Sequence, residues 1–106
     1  MAQEYNADML CAETIREQLG GRMFVTMTGA KNFMFGEREL QFSIGRNASG
    51  ANKVRISLQS DDTYTVTFYR IRKAGLKVDV MFECDGIYAE NLQSYFEKVT
   101  GLFTRL

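Results

Sequence analysis

Apolar residues recur at helical spacing near both ends of the chain and at alternate positions between them. Cys11, Ile15 and Leu19 stand four residues apart with Ala12 beside them, while Glu13, Arg16 and Glu17 lie off that stripe. The spacing predicts an amphipathic helix over 7–19, with Asn6 placed to cap it and Gly20-Gly21 placed to end it. From about residue 22 the period changes to two. Leu40, Phe42 and Ile44 alternate with Gln41 and Ser43, and Val54, Ile56 and Leu58 with Lys53, Arg55 and Ser57. Tyr64, Val66 and Phe68 alternate with Thr63, Thr65 and Thr67, and Leu76, Val78, Val80 and Phe82 with Lys77, Asp79, Met81 and Glu83. These are half-buried antiparallel strands. Residues 22–28 are expected as the first strand, with a register left open because both of its faces are apolar. Turns are expected at Gly29-Ala30-Lys31-Asn32, Gly45 to Gly50, Ser60-Asp61-Asp62 and Ala74-Gly75.

The last segment returns to helical period. Tyr88, Leu92, Phe96 and Val99 form a stripe widened by Tyr95, with Asp85 ahead of it as an acidic cap and Gly101 behind it. Leu102, Phe103 and Leu106 would bury the tail. The expected architecture is α+β in a single domain, 1–106: an N-terminal helix, an antiparallel meander of about five strands and a C-terminal helix. Both helices lie on one sheet face, which leaves the other face open. The predicted core is Ile15, Leu19, Val54, Ile56, Leu58, Val66, Phe68, Val78, Val80, Phe82, Leu92 and Phe96.

With 45% apolar residues in 106, such a core needs no covalent staples. Cys11 and Cys84 both fall on apolar stripes and are expected as free thiols in one core. Residues 1–20 carry four carboxylates and no long apolar run, and nowhere do about 18 apolar residues follow one another. A cytoplasmic protein with no membrane partner is therefore expected, and Asn47-Ala48-Ser49 is not read as a glycosylation acceptor. The chain has no histidine, which removes the commonest general base and zinc ligand. Two cysteines cannot complete a four-ligand zinc site. Asp61 and Asp62 are read as turn residues. No catalytic residue, metal or cofactor is assigned, and the chain is expected not to be an enzyme.

Charge changes the picture more. The formal net charge is zero, yet residues 22–77 carry ten bases against four acids, while 1–21 and 78–106 are each net acidic by three. One reading makes the open sheet face a basic platform for nucleic acid, met by Lys31, Lys53, Arg55, Tyr69, Arg70, Arg72, Lys73 and Lys77. In that reading Tyr69 stacks on bases, and Thr63, Thr65 and Thr67 donate hydrogen bonds. In the other, acidic helices and a basic sheet neutralise one another within a single molecule. Arg70 and Arg72 share the parity of the core residues Val66 and Phe68. They reach solvent only through a bulge or an overshooting strand end. Met81 and Tyr69 could instead mark a surface for a host protein or for a second copy in a homodimer.

Several stretches carry a resemblance: Thr14-Ile15, Gln18-Leu19-Gly20-Gly21, Phe24, Met27-Thr28-Gly29-Ala30-Lys31-Asn32-Phe33, Asp62-Thr63-Tyr64, Arg70-Ile71-Arg72 and Val99-Thr100-Gly101-Leu102-Phe103-Thr104. Over nearly its whole length the chain resembles a set of small uncharacterised proteins encoded by bacteriophages, plasmids and the bacteria that carry them. The resemblance implies a mobile-element origin and a life inside a bacterial host. It implies no reaction or ligand.

Overall fold

A computed structural model describes residues 7–72 and 77–105. Its elements run α1 (Ala7–Leu19), α2 (Gly21–Thr28), β1 (Lys31–Gly36), β2 (Glu39–Ser43), β3 (Lys53–Leu58), β4 (Tyr64–Ile71), β5 (Val78–Ile87) and α3 (Ala89–Thr100). The strands form one antiparallel sheet in the order β1-β2-β3-β4-β5, a five-stranded meander as the alternating pattern predicts. Helices pack on one face. Ile15 and Leu19 of α1, Phe24 of α2, and Leu92 and Phe96 of α3 join Phe42, Val54, Ile56, Val66 and Phe68 in a single core. Phe24, Phe42 and Phe96 meet at its centre, with ring centroids 5.1 Å (Phe24–Phe96) and 5.4 Å (Phe24–Phe42) apart in edge-on geometry.

Residues 22–28 are not a strand. They form α2, and the first strand is β1, over residues expected in part as a turn. The junction turns on Gly20 (φ 131°) and Gly21 (φ 61°). A Cβ on Gly20 would sit 3.1 Å from the Phe24 Cβ and 3.2 Å from the Thr104 carbonyl oxygen. Only glycine lets α2 leave α1 so abruptly. Once turned, α2 buries Gly21, Phe24 and Thr28 on one face. The Thr28 hydroxyl donates to the Phe24 carbonyl at 2.7 Å and accepts from the Ala30 amide at 3.1 Å. α3 ends in the same way: Thr100 donates to the Phe96 carbonyl (2.8 Å) and accepts from the Leu102 amide (3.1 Å), with Gly101 as the cap.

β5 departs most from expectation. Its register against β4 shifts twice, between Tyr64 and Val66 and between Phe68 and Tyr69. The second shift reverses its parity, so Val80 and Val78 lie opposite Tyr69 and Ile71 on the open side, away from the core. Phe82 lies opposite Phe68, but β5 is an edge strand whose extensive contacts are with β4 alone. Val78, Val80 and Phe82 are accordingly 57, 62 and 48% exposed rather than buried, and Leu58 is half-buried. Asp85 is part of β5 and caps nothing; Tyr88 precedes α3 and is itself exposed. In the tail Thr104, not Phe103, is buried. It bonds through its amide and hydroxyl to Glu97 (3.0 and 2.7 Å) and accepts from Gln93 (2.8 Å).

Cys11 and Cys84 are unpaired and half-buried against the core. Asn47 is spent on loop structure: its amide donates to the carbonyls of Gly45 (2.7 Å) and Ala51 (2.8 Å), and its oxygen accepts from the Ser49 amide and hydroxyl. Asp61 acts as a turn residue, accepting from the Thr63 amide (3.1 Å) and hydroxyl (2.6 Å), while Asp62 takes φ 66°. Asn6, Lys73, Ala74, Gly75, Leu76 and Leu106 lie outside the described residues.

Candidate functional site

Ladder register places each basic residue. Lys53 and Arg55 alternate with buried Val54 and Ile56, so both stand on the sheet face away from the helices. Lys31 lies opposite Ser43, Ser43 opposite Lys53, and Lys53 opposite Tyr69. These four residues make one cross-strand row on that face. Arg55 lies further along β3, between Gln41 and Thr67.

The rest of the open face is not basic. Glu39, Glu83 and Asp85 share it and engage its polar side chains. Thr67 donates to Glu83 (2.8 Å), Thr65 to Asp85 (3.0 Å), Tyr69 to Gln41 (3.2 Å) and Gln41 to Glu39 (2.7 Å). Thr65 and Thr67, expected as free donors, are thus committed within the sheet, and Thr63 donates to Asp61 in the turn before β4. Tyr69 is half-buried, and its hydroxyl donates to Gln41. Burial pushes its hydroxyl above the ordinary tyrosine range; nearby Arg55 pulls it down and Glu39 pushes it up.

Arg70 and Arg72 are not part of that face. Arg70 keeps the parity of Phe68, but the strand runs past the helices. Its guanidinium then folds onto the β2–β3 loop and donates to the Gly50 carbonyl at 2.9 Å. Arg72 leaves the end of β4 and pairs with Asp79 (3.2 Å), while its amide donates to the Lys77 carbonyl at 2.9 Å.

What these bases share is an end of the sheet. β1 and β3 begin there with Lys31 and Lys53, β2 and β4 finish there, and Lys77 leads into β5. Arg46 in the β2–β3 loop joins them; its place between Gly45 and Asn47 in a predicted turn was the available signal. At the opposite end stand Glu37, Glu39, Asp61, Asp62 and Asp85, with Arg38 among them. The charge separation therefore runs along the strands rather than across the sheet. Among the described residues two ion pairs form, Arg72–Asp79 and Arg105–Glu97, and neither Lys31 nor Lys53 has a carboxylate partner.

Lys31, Lys53 and Arg72 line one open depression together with Asn32, Ser43, Ile44, Asn52 and Ile71. Its floor is held rigidly. Asn52 accepts from the Ile71 amide (2.9 Å) and donates to the Ile71 carbonyl (3.0 Å), continuing the β3–β4 ladder by one side-chain rung. No helix among the described residues is long and apolar enough to cross a membrane. No protein-family model, curated protein or solved structure matches this chain.

Proposed function

We propose that this chain is a non-enzymatic binding module acting in the bacterial cytoplasm, of the mobile-element origin its resemblance implies, and that its partner is nucleic acid met by the basic end of the sheet. The observation that supports this is the gathering of Lys31, Arg46, Lys53, Arg72 and Lys77 at one end, with Asp79, among the described residues, the one carboxylate paired into the group. A polyanion that lies across strand ends neutralises such a group without needing the open face to be basic. Single strands suit the site better than duplex, because a flexible backbone can bend around a sheet end, which offers no helix for a groove. The test is fluorescence anisotropy of an unphosphorylated twelve-residue oligothymidylate across a salt series. About four phosphate contacts give a slope near −3 in log affinity against log salt, and losing Lys31 and Lys53 together flattens it by roughly 1.4. No binding at low salt, or a slope near zero, overturns the proposal.

A second reading rests on β5. Val78, Val80 and Phe82 expose apolar surface along one edge strand, which fits a host protein or a second copy of the chain. Both edges are bulged, β1 between Lys31 and Met34 and β5 twice, and bulges discourage strand addition. A protein partner would therefore meet side chains more than backbone. Sedimentation that shows a dimer lost in Val80→Lys would favour this reading.

A further inference from the structure

We propose that the depression lined by Lys31, Lys53 and Arg72 is a seat for one doubly charged phosphate, of the kind a nucleic-acid strand or a nucleotide carries at its terminus. This deepens the reading above and rests on it for the identity of the strand.

The row geometry makes a single seat. Lys31 and Lys53 flank Ser43 on the same sheet face, their backbones about 10 Å apart across two strand spacings. Two extended lysine stems are long enough to span that gap and to reach a phosphate seated between them over Ser43. Arg72 lines the far side of the depression, beyond the end of β4. Its Nε is engaged by Asp79, so its charge is compensated at that side. Neutral polar atoms complete the lining: the Asn32 amide, which also donates weakly to Ser43 at 3.5 Å, and the Ser43 hydroxyl itself. Asn52 is bound to Ile71 through both its amide nitrogen and its oxygen and serves as floor.

Charge selects the ligand. Arg72 is neutralised by Asp79, and Lys31 and Lys53 pair with no carboxylate among the described residues, which leaves a net of two positive charges, the match of a phosphomonoester near neutral pH. A phosphodiester carries one negative charge and leaves one cation uncompensated. The depression, of about 400 Å³ and open to solvent, leaves room for the nucleoside attached to such a phosphate.

The test compares thymidylyl-thymidine with and without a 5′-phosphate, and inorganic phosphate, each titrated into isotope-labelled protein at low ionic strength. The 5′-phosphorylated dinucleotide should bind at least about tenfold more tightly than the unphosphorylated one, since two charge-assisted contacts are added. It and inorganic phosphate should both move the amides of Lys31, Ser43, Lys53 and Arg72. Lys53→Ala, and separately Lys31→Ala, should abolish the preference without changing the rest of the spectrum. Equal affinity for the two dinucleotides, or shifts centred elsewhere, overturns the seat. If the unphosphorylated twelve-residue strand still binds with steep salt dependence and no terminal preference, the seat is refuted and nucleic-acid binding stands. If inorganic phosphate fills the depression while no oligonucleotide binds, the seat stands for free phosphorylated metabolites and nucleic-acid binding falls.

Discussion

Whether α2 is a helix decides how the core closes, and two substitutions test it. Phe24 is fully buried between Phe42 and Phe96. Phe24→Ala should cost about 3–5 kcal/mol from lost burial and a partly collapsed cavity. Against a domain stability of about 5–15 kcal/mol, that leaves the variant marginal or unfolded. Thr26 decides the matter even then, because in α2 it faces solvent. Alanine outranks threonine in a helix interior by up to about 0.7 kcal/mol, so Thr26→Ala should stabilise the protein by roughly half a kcal/mol. In a strand the sign reverses, since a β-branched residue is favoured there. Urea denaturation followed by far-ultraviolet circular dichroism reads both, with an unchanged m-value as the check that the same state unfolds. A Thr26→Ala variant destabilised by half a kcal/mol, together with a Phe24→Ala cost below about 1 kcal/mol, would refute the helical assignment.

Three further outcomes follow from named contacts. Glu97 accepts from Thr104 and pairs with Arg105, and these hold its carboxyl below the ordinary value of 4.5, the Thr104 hydroxyl foremost. The stability this adds is therefore complete above pH 4.5 and lost as pH falls through the lower folded value. Glu97→Gln should flatten the acid limb of a denaturation–pH profile in that window. Asn47→Ala removes two donated bonds and the acceptor for Ser49. It should cost about 1–3 kcal/mol, read as a lowered thermal midpoint with the β2–β3 loop loosened. Burial raises the Cys11 thiol above its ordinary range, with Arg38 opposing and Asp8 adding. Iodoacetamide mapped by mass spectrometry at pH 8 should label Cys11 in the folded protein much more slowly than in urea.

The parts of this fold that were legible in the sequence have unmixed periods. α1, α3 and β2 to β4 follow from stripes such as Cys11-Ile15-Leu19, Leu92-Phe96 and Val54-Ile56-Leu58. α2 was hidden because Met23, Phe24, Val25 and Thr26 suit a strand, and short apolar runs do not separate the two periods. A signal was nonetheless present. Phe24 to Gly29 and Phe96 to Gly101 share the spacing Phe-x-x-x-Thr-Gly, and in both the threonine bonds back to the phenylalanine carbonyl. β1 was missed because Phe33, Met34 and Phe35 do not alternate across its bulge. The reversal in β5 depends on where an extra residue enters the ladder, and nothing in Val78 to Phe82 marks it. Parity was the wrong coordinate for the basic residues. It assigns a face, whereas in a meander it is the hairpin order that brings Lys31, Lys53, Arg72 and Lys77 to a common end.

The central claim is that the working surface is this end of the sheet, and an amide chemical-shift map tests it most directly. Unphosphorylated oligothymidylate of twelve residues, titrated at low salt, should perturb Lys31, Ser43, Arg46, Lys53, Arg72 and Lys77, with the effect fading along each strand toward Gly36, Glu39, Leu58 and Tyr64. Perturbation centred on Val78, Val80 and Phe82, on the acidic end, or nowhere at saturating oligonucleotide would contradict it.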